Sequence, residues 1–230
     1  MNLKTLLTLT IALVASTTFA APPGSAAPAS SDGLIAALSR NLDEVYLQPG
    51  ADLSAYRKVI VEPGQVALAK NWLKDMNATR SVQRRLYPDD AQRITDEAAS
   101  SLAPVIADVF KARGYEIVSA PGPGVLLLTP SVTDLYVNAP DVASPGIQRA
   151  FVRDGGEATL HLDVRDAATG TLVARIVDRS TAHEVLAPAT SAGQLHSNRA
   201  TDVSNLFWFE ALYRQWAGYC VKALGSAPAG

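Results

Sequence analysis

The chain has 230 residues, of which 18% are charged, and a formal net charge of −2. That balance excludes the basic footprint of a nucleic-acid binder and offers nothing to an acidic membrane surface. A single cysteine, Cys220, excludes an internal disulfide, and a domain of this size buries about 70% of its unfolded surface without one.

Met1 to Ala20 has the layout of a secretory signal. Lys4 supplies the positive start, Leu6 to Ala15 an apolar run, and Thr18-Phe19-Ala20 small residues at −3 and −1. The run is shorter than the roughly 20 residues a spanning helix needs, and no later segment qualifies either. Cleavage after Ala20 and a periplasmic or secreted location are therefore expected. No cysteine stands beside that site, so a lipid anchor on an N-terminal Cys is not available. Residues 21–31, small and Pro-rich, read as a flexible tether; 32–225 read as one domain and 226–230 as a disordered tail.

Gly33 to Leu38 is short and apolar, and Glu44 to Gln48 reads as a strand stopped by Pro49-Gly50. Tyr56 to Glu62 is a stronger strand, and its continuous Val59-Ile60-Val61 run predicts burial on both faces and a central position. Pro63-Gly64 interrupts it, and Gln65 to Trp72 resumes in extended form. Asn71 to Arg85, with three arginines, reads as a mobile loop. Its Asn77-Ala78-Thr79 matches a glycosylation sequon, a weak pattern at that length.

The first long helix runs from Pro88 to Arg113, capped by Asp89 or Asp90 and ended by Gly114. Ile94, Ala98, Leu102, Val105, Ile106 and Phe110 share one stripe. Pro104 conflicts with it and predicts a kink near Ser100 and Ser101, whose hydroxyls could satisfy the freed carbonyls. Tyr115 to Val118 is a short strand. Val125 to Val137 is a long one, in which Pro130 argues for a bulge or an edge. Asn138 to Asp154 is a loop.

Gly155 to Arg179 reads as a hairpin. Ala158, Leu160, Leu162 and Val164 alternate with Thr159, His161, Asp163 and Arg165. Asp166 opens a turn that Gly170 closes. A bulge at Gly170 would put Leu172, Ala174 and Ile176 inside and spare Arg175 an unpaired inward position. After a loop over Val185 to Ser197, a last helix from Asn198 or Asp202 to Leu224 carries Phe209, Leu212, Tyr213, Trp216 and Cys220 at helical spacing. The order is β-β-α-β-β-β-β-α. This predicts an α+β fold: a mixed, mostly antiparallel sheet with two main helices packed on one face, the hairpin as its central pair.

Several stretches together resemble a known family. They are Tyr56 to Pro63 with Lys70-Asn71-Trp72, Asp134 to Asp141, Gly156 to Leu160, Ala174 to Asp178, and Ser197 to Ala200. The combination, spanning about Asp32 to Leu224, resembles the bacterial domain-of-unknown-function-3313 family of putative envelope lipoproteins. The resemblance implies an extracytoplasmic protein with no established activity, and it carries over no catalytic residue. The missing lipidated cysteine departs from the family pattern and favours a periplasmic or exported form without that anchor.

Catalytic, metal and cofactor signatures are not found. The histidines, His161, His183 and His196, lie in no zinc-binding pattern, and there is no G-x-S-x-G elbow or phosphate-binding glycine loop. Cys220, inside a helical pattern, reads as a packed hydrophobe. Asp134, Asp141, Asp163 and Asp178 are the carboxylates a hydrolase could use, and pairing with arginines or water is the competing reading. The strongest binding candidate is the Pro-stiffened turn Asn138-Ala139-Pro140-Asp141 with Asp134 and Tyr136 before it. The expected role is a non-catalytic binding or scaffold module for an envelope protein or cell-wall component. A carboxylate-dependent hydrolase and a carrier of small apolar ligands, with a pocket lined by Trp216, Phe209 and Phe110, are the alternatives.

Overall fold

A computed structural model describes residues 32–137, 156–181 and 202–225. The signal, tether and tail segments lie outside them. The elements are β1 (Ile35–Ala37), β2 (Glu44–Leu47), β3 (Lys58–Val61), β4 (Gln65–Leu68), α1 (Trp72–Asn77), α2 (Pro88–Ala112), β5 (Glu116–Ile117), β6 (Val125–Val137), β7 (Gly156–Asp166), β8 (Leu172–Thr181) and α3 (Asp202–Gly225). The fold is α+β. One eight-stranded sheet runs in the order β1-β2-β8-β7-β6-β3-β5, with β4 also on β6. Pairings are antiparallel from β1 through β6 and parallel among β3, β4, β5 and β6.

The hairpin is the middle of the sheet. Ala158, Leu160, Leu162 and Val164 are buried, and the alternate residues of β7 are partly exposed. Asp166 builds the turn as its sequence suggests. Its carboxylate accepts from the Ala168 and Thr169 amides at 2.9 and 2.8 Å, and Gly170 takes a φ of +74°. The register shift, however, falls between the Val164–Ala174 and Arg165–Leu172 pairs. The bulge is therefore at Val173, three residues past Gly170. Ala174 and Ile176 face the core as expected, but Val173 is buried too and Leu172 is half-exposed.

β6 occupies Val125–Val137, the span its sequence predicts. Pro130 is neither at a bulge nor on an edge strand: it is buried and in register with Leu162. On its other flank β6 pairs with β3 up to Leu128 and with β4 from Ser131. Proline, lacking an N–H, sits at the changeover between two partners. The bulge of β6 lies further on, between Thr133 and Tyr136, where Asp134 adopts a φ of +52°.

β3 is not central. Among the described residues only the two-residue β5 lies outside it. Its continuous apolar run has another cause: Val59 faces the helices, fully buried, while Ile60 and Val61 are half-covered. The expected loop over Asn71–Arg85 is also ordered. It holds α1 and a 3-10 turn at Val82–Arg84, and Asn77 closes it by donating to the Leu86 carbonyl and accepting from its amide, both at 2.8 Å. Trp72 opens α1 fully buried, its indole N–H donating 3.1 Å to the carbonyl of Val137.

In α2, Asp89 and Asp90 lie inside the first turn behind the N-cap Tyr87. Asp90 accepts from the Tyr87 amide at 2.8 Å and so still satisfies one terminal donor. The helix continues unbroken through Pro104, which is exposed. Ser100 and Ser101 bond the carbonyls of Glu97 and Ala98, not the Ser100 carbonyl that the proline leaves free. The C-terminus is a Schellman motif on Gly114 (φ +92°): Tyr115 N–H reaches Phe110 O, and the two rings pack 5.2 Å apart.

The long helices pack on each other, with α2 over β3, β4 and β5 and α3 over β8. Trp216, Phe209 and Phe110 belong to that core, 1%, 5% and 0% exposed. None of the three is among the residues lining the cleft described below. The helix layer is narrower than the sheet beneath it. Seven strands abreast at ~4.8 Å span about 29 Å, whereas two helices, each about 10 Å across, cover about 20 Å. The outer pair, β1 and β2, is where cover runs out among the described residues.

Candidate functional site

Burial along that margin falls stepwise. Val45 of β2 faces Ile176 of β8 and is buried; Ala37 and Leu47 are half-buried; Ile35 is 44% exposed and Leu38 fully so. The ribbon is an edge among the described residues, where β1 pairs only with β2. The turn at Gln48–Ala51 and Leu53 close one end, and Tyr219, Lys222 and Ala223 from the last turns of α3 form the opposite wall. Between them lies an open cleft of about 640 Å³, within the range of small-molecule sites.

The lining is apolar with a one-sided charge. Arg40 and Lys222 border it, and among the described residues no aspartate or glutamate does. Lys222 Nζ lies 5.9 Å from the centre of the Tyr219 ring, a cation–π distance. The Tyr219 hydroxyl accepts from Gln215 Nε2 at 3.1 Å. The sequence marks Gly33–Leu38 as apolar without saying what it lines. Alternation at Ile35, Ala37, Val45 and Leu47 was the available signal, and Lys222 gave none.

Behind the cleft the N-terminal segment is tied to the sheet and to α3 by Asp178. This residue was expected to pair with arginine or face water; it is 4% exposed on the helix-covered face. Asp178 Oδ1 accepts from the Asp43 amide at 3.0 Å, and Oδ2 accepts from Ser180 Oγ and Trp216 Nε1, both at 2.7 Å. Asp43 returns the link by accepting from the Arg179 amide at 2.9 Å. Cys220 lies in the same region. Burial first, and Asp178 second, push its thiol well above the usual range, so it packs as an inert hydrophobe.

The opposite face of the sheet is polar. Arg175 donates to both carboxylate oxygens of Asp163, at 2.7 and 3.1 Å, and also bonds Asp32. Arg165 adds a contact to Asp163 at 3.3 Å. The Arg175 hydrogen bond holds the Asp163 carboxyl below its ordinary value despite partial burial. The folded-state pKa is therefore below the unfolded value of about 3.9. The pair's stabilisation is complete above that pH and is lost as pH falls through the folded value. The Asp163→Asn variant should thus be less stable than the parent at pH 7 and converge on it at the acid end, measured as melting temperature from pH 2 to 7. His161 bonds the hydroxyl of Thr133 across the strands at 3.1 Å. Tyr56, partly buried and donating 2.7 Å to Asp166, has its phenol pushed up to about 12.

The sequence-derived site residues are only partly described. Asn138 and Asp141 lie outside the described residues, as do His183 and His196. Asp134 is exposed on the β6 bulge, and Tyr136 is half-buried beside it. The three described carboxylates, Asp134, Asp163 and Asp178, do not converge. Asp163 faces Thr129, five positions along β6 from Asp134, or about 16 Å at 3.3 Å per residue. Asp178 is on the other side of the sheet. Among the described residues no three His, Cys, Asp or Glu side chains group to hold a metal ion, and no helix is long and apolar enough to cross a membrane.

The family model described as "Protein of unknown function (DUF3313)" matches residues 27–203. The chain belongs to the DUF3313 family. The match takes in β1 to β8, so both strands of the cleft margin are family territory, while most of α3 lies beyond it. No match is found among curated proteins. Among solved structures, the DUF3313 chain is similar to a PelC dodecamer from Paraburkholderia phytofirmans at 13% identity and a TM-score of 0.39, over 80% of this chain and 98% of that one. A PelC variant dodecamer from the same organism gives 15% and 0.38, over 78% and 97%.

Proposed function

We propose that this DUF3313 chain is an exported protein of the cell envelope that acts by binding, and that the cleft between β1–β2 and the end of α3 is its binding site. One observation carries the reading: the helix layer stops short of the outer strands and leaves an apolar cleft with cations at its border. Such concavities with a few polar groups are where small ligands bind. The scatter of Asp134, Asp163 and Asp178 over separate places supports binding over a carboxylate-dependent hydrolysis. The signal-like Met1–Ala20 stretch supports export.

Native mass spectrometry on protein drawn from an envelope extract tests this. A non-covalent adduct is expected on the parent chain and is expected to be lost from Ala37→Trp, which fills the cleft. An adduct kept by the filled variant would overturn the assignment.

One observation favours a second surface. Val137 and Gly156 pair in register, so the chain leaves and rejoins the sheet at a single point beside the Asp134 bulge. Asn138, Asp141, Asp134 and Tyr136 would there recognise an envelope protein or cell-wall component. Retention of the same partners by an Asn138→Ala, Asp141→Ala double variant in a pull-down would remove that role.

A further inference from the structure

We infer that the cleft takes a single-chain amphiphile with an anionic head, an assignment that rests on the cleft being the binding site. Two features set the class. The first is the wall. Ala37, Leu47, Leu53 and Ala223 line the cleft, and Ile35 and Leu38 stand exposed at its lip. An apolar tail laid there would remove carbon surface from water on both sides of the contact, which is the main source of small-ligand affinity. A sugar or a free inorganic ion would leave that wall wet.

The second feature is the charge at the border. Arg40 and Lys222 both line the cleft, no carboxylate does, and Arg40 has no acidic partner among the described residues. An isolated cation on a surface is ordinary. Two cations on one apolar cleft, in a chain of net charge −2, make a local field opposite to the whole molecule's. A carboxylate or phosphate head would meet a guanidinium fork from Arg40 and an ammonium from Lys222. Lys222 lies over the Tyr219 ring, which keeps its charged end by the α3 wall. A cationic head would be repelled by the same pair. The tail supplies the affinity and the head selects the sign.

The experiment is a calorimetric titration of the purified chain, each probe kept below its micelle concentration. Dodecanoate, dodecyl phosphate and dodecyltrimethylammonium carry one tail and three heads. Saturable one-to-one binding is expected for both anionic probes, at least tenfold tighter than for the cationic one. A preference for the carboxylate points to a fatty-acid source, and a preference for the phosphate points to a phospholipid-like one. The Arg40→Glu, Lys222→Glu double variant should weaken dodecanoate at least tenfold while keeping the parent's melting temperature, since both side chains are exposed. Cationic binding within threefold of anionic binding, or unchanged affinity in the double variant, would overturn the assignment, as would absence of saturable binding. The ligand class would then fall alone if the native adduct still vanished in Ala37→Trp. An adduct surviving that substitution would take the binding site with it.

Discussion

Replacing Gly156 by alanine is expected to lower the melting temperature by about 10 °C or more, read by thermal denaturation. Gly156 begins β7 with a φ of +137°, and a Cβ there would sit 2.0 Å from the carbonyl oxygen of Tyr136. That atom is backbone, in the strand pair that joins Val137 to Gly156, and cannot rotate aside. The disfavoured φ costs about 1–3 kcal/mol, and the overlap adds a similar amount by overpacking. At roughly 2–4 °C per kcal/mol for a chain of this size, the combined effect reaches that range. Gly170→Ala is the control. Gly170 also has a positive φ, but nothing lies within 4 Å of its added Cβ, so about 1–2 kcal/mol is expected there. Equal effects at the two positions would show that φ alone, and not the close approach to β6, makes glycine necessary.

Asp178→Ala is the second large effect, expected at about 3–4 kcal/mol in a denaturant titration. The substitution takes the acceptor from the buried Ser180 hydroxyl and from the part-buried Asp43 amide, and leaves the Trp216 indole only its longer 3.3 Å contact to Ser180 Oγ. Asp178→Asn keeps an acceptor oxygen and should cost roughly half as much. Trp216→Phe removes one donor. Asp178→Ala should cost less in that background than in the parent, because one donor to the carboxylate is already gone. Additive losses would mean that Trp216 stabilises by packing alone. Because the bond to Asp43 ties down the segment between β1 and β2, the Asp178 variants should also loosen the cleft margin, visible as faster amide exchange over Leu42–Leu47.

Local signals in the sequence carried much of this fold. The alternation in β7, the full span of β6, the Asx turn at Asp166 and the Gly114 stop of α2 each depend on residues close in the chain, where periodicity and turn chemistry act. What failed depends on distant partners. Trp72 looked like the end of a strand because nothing nearby shows that Val137 will accept its indole N–H. The Val59–Val61 run looked central because a buried and a half-covered face read alike in a short strand. Pro130 looked like a bulge or an edge because its two flanking partners, β3 and β4, cannot be seen from β6. The hairpin bulge was placed at Gly170, where the turn chemistry lies, but the register slips at Val173.

The candidate site was less legible, and for the same reason. Its walls come from both ends of the chain. Ile35, Ala37, Val45 and Leu47 alternate as any half-buried ribbon would. The cleft arises from a mismatch in width between two helices and the sheet they cover, which no single segment encodes. Asp178 was read as pairing with arginine or facing water because charged residues are mostly exposed unless paired, and its partner Trp216 lies 38 positions away. Asp134 and Tyr136 drew notice as the lead-in to a Pro-stiffened turn; the structure adds a bulge with a left-handed residue.

The most direct measurement is the location of binding. Amide and methyl NMR shifts of the labelled chain, recorded with increasing dodecanoate, should move at Ile35, Ala37, Leu47, Leu53, Tyr219 and Ala223 and saturate with one affinity. Thr159, His161 and Thr133, on the opposite face of the sheet, should stay in place. Shifts gathered on that polar face or around Asp134 and Tyr136, with the β1–β2 margin silent, would contradict the account.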